Sequence, residues 1–119
     1  MKILHTADWH LGTFRSPVKD GVNLRTEDTK RCLDELIRVA NEEKPDYSLV
    51  SGDIFHVGRL WSDRCCEEII TAIHYIRELA AVSKQVVVMR GTPNHDGSGQ
   101  FNVLSEMLSL IHISEPTRP

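Results

Sequence analysis

Three short apolar runs, KILHTA at 2–7, DYSLVSGD at 46–53 and KQVVVMRG at 84–91, alternate with two longer stretches whose apolar residues recur every three or four positions. Short apolar runs that end in polar residues predict buried strands, the first stopping near Asp8 and the second at Gly52 and Asp53. From Thr26 to about Glu43, Leu33, Leu36, Ile37 and Ala40 recur at helical spacing, and Pro45 just beyond is a stop signal. From about Ser62 to Ser83, Cys65, Ile69, Ile73, Ile76 and Ala80 form a second helical stripe. Strand, helix, strand, helix, strand predicts an α/β fold: a βαβαβ unit of parallel strands joined by right-handed crossovers, its sheet covered on both faces. In such a sheet the chemistry collects at the carboxyl ends of the strands.

Length and composition narrow the picture without choosing a function. A chain of 119 residues suits a single domain with a modest core. With 40% hydrophobic and 26% charged residues it is of ordinary soluble composition, and its net charge of -3 leaves no electrostatic footprint for nucleic acid or acidic lipid. Binding a polyanion therefore requires local charges or metal ions. No window approaches the roughly 18 apolar residues of a membrane span. The start MKILHTADWH places Asp and His where a signal peptide needs an apolar run, so a cytoplasmic location without membrane association is expected. Cys32, Cys65 and Cys66 are an odd set without C-x-x-C spacing; they read as reduced helix residues rather than a disulfide framework or a zinc knuckle.

Polar clusters follow all three strands: Asp8 and His10 after the first, Asp53 and His56 after the second, and Asn94, His95 and Asp96 in RGTPNHDG after the third. Parallel strands bring their carboxyl ends together, so residues about forty positions apart converge. Oxygen and imidazole donors without thiolate suit manganese, iron or zinc. A carboxylate shared by two ions suits a pair about 3.5–4 Å apart that activates a water and neutralises a phosphate. Each motif alone is most often a structural polar turn; three in order, each at a strand end, are specific. His5, inside the first strand, reads as a hydrogen-bonded core histidine, and His74 as a surface or packing residue of the second helix. No Walker loop is present, and all three cysteines fall on helices, away from the strand ends where a Cys–His nucleophile would act.

HTADWHLG, SGDIFH and GTPNHD resemble the D-x-H, G-D-x-x-H and G-N-H-D blocks of calcineurin-like metallophosphoesterases, over nearly all of residues 1–107. The wording of the first two is most similar to the SbcD-type DNA-repair nuclease branch. The resemblance implies the N-terminal half of a metallophosphoesterase α/β sandwich. It also implies a 3'-5' exonuclease or endonuclease of DNA repair and recombination that uses two divalent ions, manganese foremost. Asp8 and His10 would hold the first metal, Asp53 would bridge both, and Asn94 would hold the second. His95 would be the catalytic imidazole that meets charge on the phosphate or protonates the leaving oxygen. His56 has two readings, a second active-site histidine that orients His95 or a polar cap of the loop before the helix. Asp96 is expected to accept hydrogen bonds from loop amides without touching metal. The implied partners are DNA, an SbcC-like ATPase and a second copy of the full-length parent.

Two departures stand out. Thr92 and Pro93 separate Gly91 from Asn94, giving a wider and stiffer entry to the third block. The further histidines that the family supplies from later strands, including a G-H-x-H block, do not occur in this chain. The tail from Leu108, LSLIHISEPTRP, reads as the translation of a transposase-type sequencing adapter. Natural sequence is therefore expected to end near Met107, and His112 is not counted as a ligand. With half the sheet and about half the ligands missing, the chain alone is expected to be poorly stable and nearly inactive. The rival readings are a calcineurin-like phosphoesterase acting on nucleotides or phosphoproteins, and a non-catalytic module binding DNA or a partner, with Leu60 and Trp61 as one possible surface. GDIFHVGR argues against the phosphoprotein branch, which follows Gly-Asp with an aspartate and an arginine.

Overall fold

The computed structural model describes residues 1–12, 18–19, 22–55, 63–91 and 112–114, with side chains described over 1–12, 24–55 and 68–91. In chain order the elements are β1 (Ile3–Thr6), β2 (Val18–Lys19), β3 (Val22–Asn23), α1 (Leu24–Glu43), β4 (Tyr47–Val50), α2 (Asp63–Val82), β5 (Gln85–Met89) and β6 (His112–Ser114). The expected βαβαβ unit is β1, α1, β4, α2 and β5. Its three strands are parallel, with Ile3 beside Tyr47 and Tyr47 beside Gln85, and β6 joins at the β5 edge to give the sheet order β1-β4-β5-β6. The antiparallel pair β2–β3 runs directly into α1, which for that reason begins at Leu24 rather than Thr26. Among the described residues no helix is long and apolar enough to cross a membrane.

The helix stripes pack as their periodicity requires. Leu33 and Ala40 of α1 share one core with Ala72, Tyr75, Ile76 and Leu79 of α2 and with Val50, Val86 and Val88 of the sheet. Leu36, Ile37 and Ala80 lie partly buried against it. The Tyr75 hydroxyl donates to Asp34 Oδ1 at 2.8 Å, tying α2 to α1. Burial, and after it the Asp34 carboxylate, push that phenol well above its ordinary range. Ser48, a fully buried polar residue, meets its need for a partner in Ser83, with Oγ to Oγ at 2.7 Å. α1 ends with Lys44 in the left-handed region at φ 48°, its amide donating to Ala40 O at 2.9 Å, immediately before Pro45.

The expectation of a sheet covered on both faces is corrected. Successive right-handed crossovers that add strands in one direction place both helices on the same side. Ser48, Val50, Val86 and Val88 point into the core, whereas Ile3 is 55% exposed and Met89 39% on the opposite face. His5 shares that open face and is therefore exposed, not a core histidine; its Nε2 lies 2.6 Å from Ser51 Oγ. β6, within the segment read as adapter, pairs in parallel with β5, His112 beside Val87. An open strand edge offers its backbone groups to any extended segment in reach, whatever that segment's origin.

The base of the sheet is held by Asp46. Its carboxylate accepts from the Lys2 backbone amide at 2.8 Å and from Lys84 Nζ at 2.9 Å. The Lys2 amide first and the Lys84 ammonium second hold its pKa below the usual carboxylate range. A carboxyl depressed in the folded state contributes stability above its unfolded value of about 3.9 and loses it as pH falls through the folded value. Thermal melts across acid pH are expected to show a shallower decline for Asp46→Asn than for wild type; parallel curves would remove Asp46 from the acid response.

Candidate metal centre

Beyond their carboxyl ends β1 and β4 stay stitched together. Ser51 N donates to Thr6 O at 2.9 Å, Asp8 N to Gly52 O at 3.1 Å, His10 N to Asp53 O at 3.0 Å and Leu11 N to Ile54 O at 2.8 Å. Leu11 and Phe55 close the run as an isolated parallel bridge. Apolar residues between the polar ones anchor both loops: Trp9, Leu11, Ile54 and Phe55 are buried, and Trp9 Nε1 donates to Thr6 Oγ1 at 2.8 Å. Alternation then turns Asp8 and His10 the other way, their side chains 69% and 31% exposed.

The turns that aim these side chains are unusual. Asp8, His10 and Asp53 all occupy the left-handed region, at φ 55°, 48° and 49°, and Gly52 sits at φ 100°. Asp is among the few residue types that visit this region readily, while an added Cβ at the Gly52 angle is strained. Three such conformations within two short loops persist because the interstrand hydrogen bonds and the buried anchors over-determine them.

The result is one cluster in which a donor atom from each of Asp8, His10 and Asp53 lies within 4.8 Å of the others, His10 Nε2 standing 3.7 Å from Asp8 Oδ1. Donors on one ion at roughly 2.1 Å stand about 3 Å apart when adjacent and about 4.2 Å when opposite, so a slight side-chain rotation suffices to close the set on a cation. Two carboxylates at this spacing repel one another, and a divalent ion between them reverses the sign. One imidazole with two carboxylates is a hard donor set suited to manganese, iron or zinc. A cavity of about 490 Å³ opens beside it, lined by Asp8, Trp9, Arg25, Asp28, Thr29 and Cys32 among others.

Of the residues singled out from sequence, the structure brings Asp8, His10 and Asp53 together. His56, Asn94, His95 and Asp96 lie outside the described residues, as do Thr92, Pro93, Leu60 and Trp61. His74 is exposed on α2 with its ring edge-on to Tyr75, 5.0 Å between centroids, and Cys32 is a free exposed cysteine of α1. Sequence reasoning passed over the anchors Trp9, Leu11, Ile54 and Phe55. Their signal was the apolar residue following each polar one in ADWHLG and GDIF.

A fold of parallel strands carrying D-x-H and G-D turns at adjacent carboxyl ends is matched by the family profile of calcineurin-like phosphoesterases over residues 1–115, and the chain belongs to that family. Its members are metal-dependent hydrolases of phosphate esters. Two curated relatives are each the SbcD component of the nuclease SbcCD. That of Staphylococcus saprophyticus is 30% identical over 113 residues, covering 95% of this chain and 27% of the relative. That of Staphylococcus epidermidis is 29% identical over 102 residues, covering 86% and 25%. The chain thus spans about a quarter of the length of the curated relatives it matches.

Proposed function

We propose that this chain carries the first metal-binding blocks of an SbcD-like nuclease that hydrolyses DNA phosphodiesters with two manganese ions. The observation that carries the reading is the convergence of Asp8, His10 and Asp53 at the ends of β1 and β4. In this reading Asp8 and His10 hold one ion, Asp53 is shared between two, and Asn94 reaches the second. Divalent ions supply Lewis acidity at such a site, easing loss of a proton from water and offsetting phosphate charge. The protein's part is to fix the donors in space, and the buried Trp9, Leu11, Ile54 and Phe55 do so. His95 is assigned to the charge that develops on the phosphate or its leaving oxygen, and His56 to orienting His95. Residues 1–107 are the native part of the domain and 108–119 the adapter translation. The parent is a cytoplasmic homodimer that works on DNA with an SbcC-like ATPase.

The test extends the gene past Met107 and assays the longer protein beside this chain on single- and double-stranded DNA. Manganese-dependent cleavage by the longer protein, lost in His95→Ala and nearly absent from the 119-residue chain, is expected. DNA binding without cleavage would replace the nuclease by a binding module; hydrolysis confined to nucleotides would move the protein to another branch of the family.

A further inference from the structure

β4 and β5 run in register with Val50 beside Val88, and continuing that register three residues past this pair sets Asp53 beside Gly91. The backbones close up there. A Cβ added to Gly91 would lie 2.2 Å from both the amide nitrogen and Oδ1 of Asp53, and 3.0 Å from its Cα. The approach is mutual, since a Cβ on Gly52 would meet Gly91 Cα at 2.7 Å and its nitrogen at 2.9 Å. Rotating the Asp53 side chain would relieve Oδ1 but not the amide nitrogen, which is fixed between Gly52 and the stitched loop. Any side chain at position 91 must therefore push the Asp53 backbone, already held at φ 49°, away from its place beside Asp8 and His10.

We propose that Gly91 is a positioning residue for the Asp53 carboxylate: the third strand end acts on the metal centre through the absence of a side chain as well as through the residues that follow. In this chain Thr92 and Pro93 stand between Gly91 and Asn94, so the glycine serves Asp53 independently of any ligand further along. The inference rests on reading Asp8, His10 and Asp53 as a metal site, and the experiment separates the two. Manganese binding to the 119-residue chain is measured from the electron paramagnetic resonance signal of free ion, with melting temperature recorded in the absence of metal.

Gly91→Ala is expected to bind manganese at least tenfold more weakly than wild type. Val88→Ala, which loosens the same strand from inside the core, is expected to lower the melting temperature while keeping the wild-type affinity. Equal affinities for wild type and Gly91→Ala would overturn the role of Gly91 and leave the metal site standing; no binding by wild type would overturn both. An equal loss in Val88→Ala would reduce the effect to general destabilisation and also overturn the proposal. Should Gly91→Ala fail to fold, Gly91→Ala/Asp53→Gly must recover part of the melting temperature, because glycine at 53 removes Oδ1 and frees the backbone. Absence of that recovery would count against the proposal.

Discussion

Asp53→Ala is expected to abolish manganese binding and to lower the melting temperature at once, and Asp53→Asn to separate the two effects. A neutral amide oxygen is a poor substitute for a carboxylate on a hard cation. Losing even an outer hydrogen-bond partner of a ligand typically costs about 10–100-fold in metal affinity, so loss of the ligand charge itself should cost at least about 100-fold. Both variants are expected to show it. Asp53 also sits at φ 49°, which asparagine tolerates and alanine occupies at a cost of about 1–2 kcal/mol. Metal-free Asp53→Asn should accordingly melt near wild type while Asp53→Ala melts lower. Calorimetric manganese titration and thermal denaturation check the pair, and affinity in Asp53→Asn within a few-fold of wild type would remove Asp53 from the ligand set.

Phe55→Ala is the largest stability loss expected. Phe55 is fully buried and pairs across to Leu11, so its truncation leaves a cavity beneath both loops of the candidate metal centre. Such truncations cost about 3–5 kcal/mol. Domains of ordinary stability have only about 5–15 kcal/mol in total, and here one face of the sheet lies open, which places this chain toward the lower end. Urea unfolding followed by far-ultraviolet circular dichroism is expected to show Phe55→Ala largely unfolded at 37 °C, with Phe55→Leu recovering much of the loss. A shift below about 1 kcal/mol for Phe55→Ala would mean that the loops do not depend on this anchor.

The five elements of the crossover unit were legible because each carries a signal long enough to read: helical periodicity in Leu33 through Ala40 on α1 and Ile69 through Ala80 on α2, and short, mainly apolar runs for the three strands. β2 and β3, two residues each, are too short to carry a period. The open face escaped notice for a physical reason. Val86, Val87 and Val88 are all apolar, yet only Val86 and Val88 are buried, and a run without alternation does not say which side the helices cover. The same ambiguity hides the face that His5 takes.

At the candidate metal centre, Asp8 and His10 could be read because they follow the first apolar strand as a polar cluster, and Asp53 because it ends the second. The left-handed turns at non-glycine residues and the approach of Gly91 to Asp53 leave no mark in composition. They follow from strand register, which a single sequence does not display. Gly91 looked like the opening letter of a motif; its contact with Asp53 appears only once β4 and β5 are laid side by side.

The stitching of the two loops ties Asp8, His10 and Asp53 to the pairing of β1 with β4, which joins Ile3 to Tyr47 across the whole of α1. Closing that span is entropically costly. A cation that recognises only the closed arrangement adds its binding free energy to closure, about 2.7 kcal/mol at a hundred times its dissociation constant. If Asp8, His10 and Asp53 hold a cation as proposed, divalent ion concentration becomes a folding variable of the chain, and a chelator acts on it as a denaturant does.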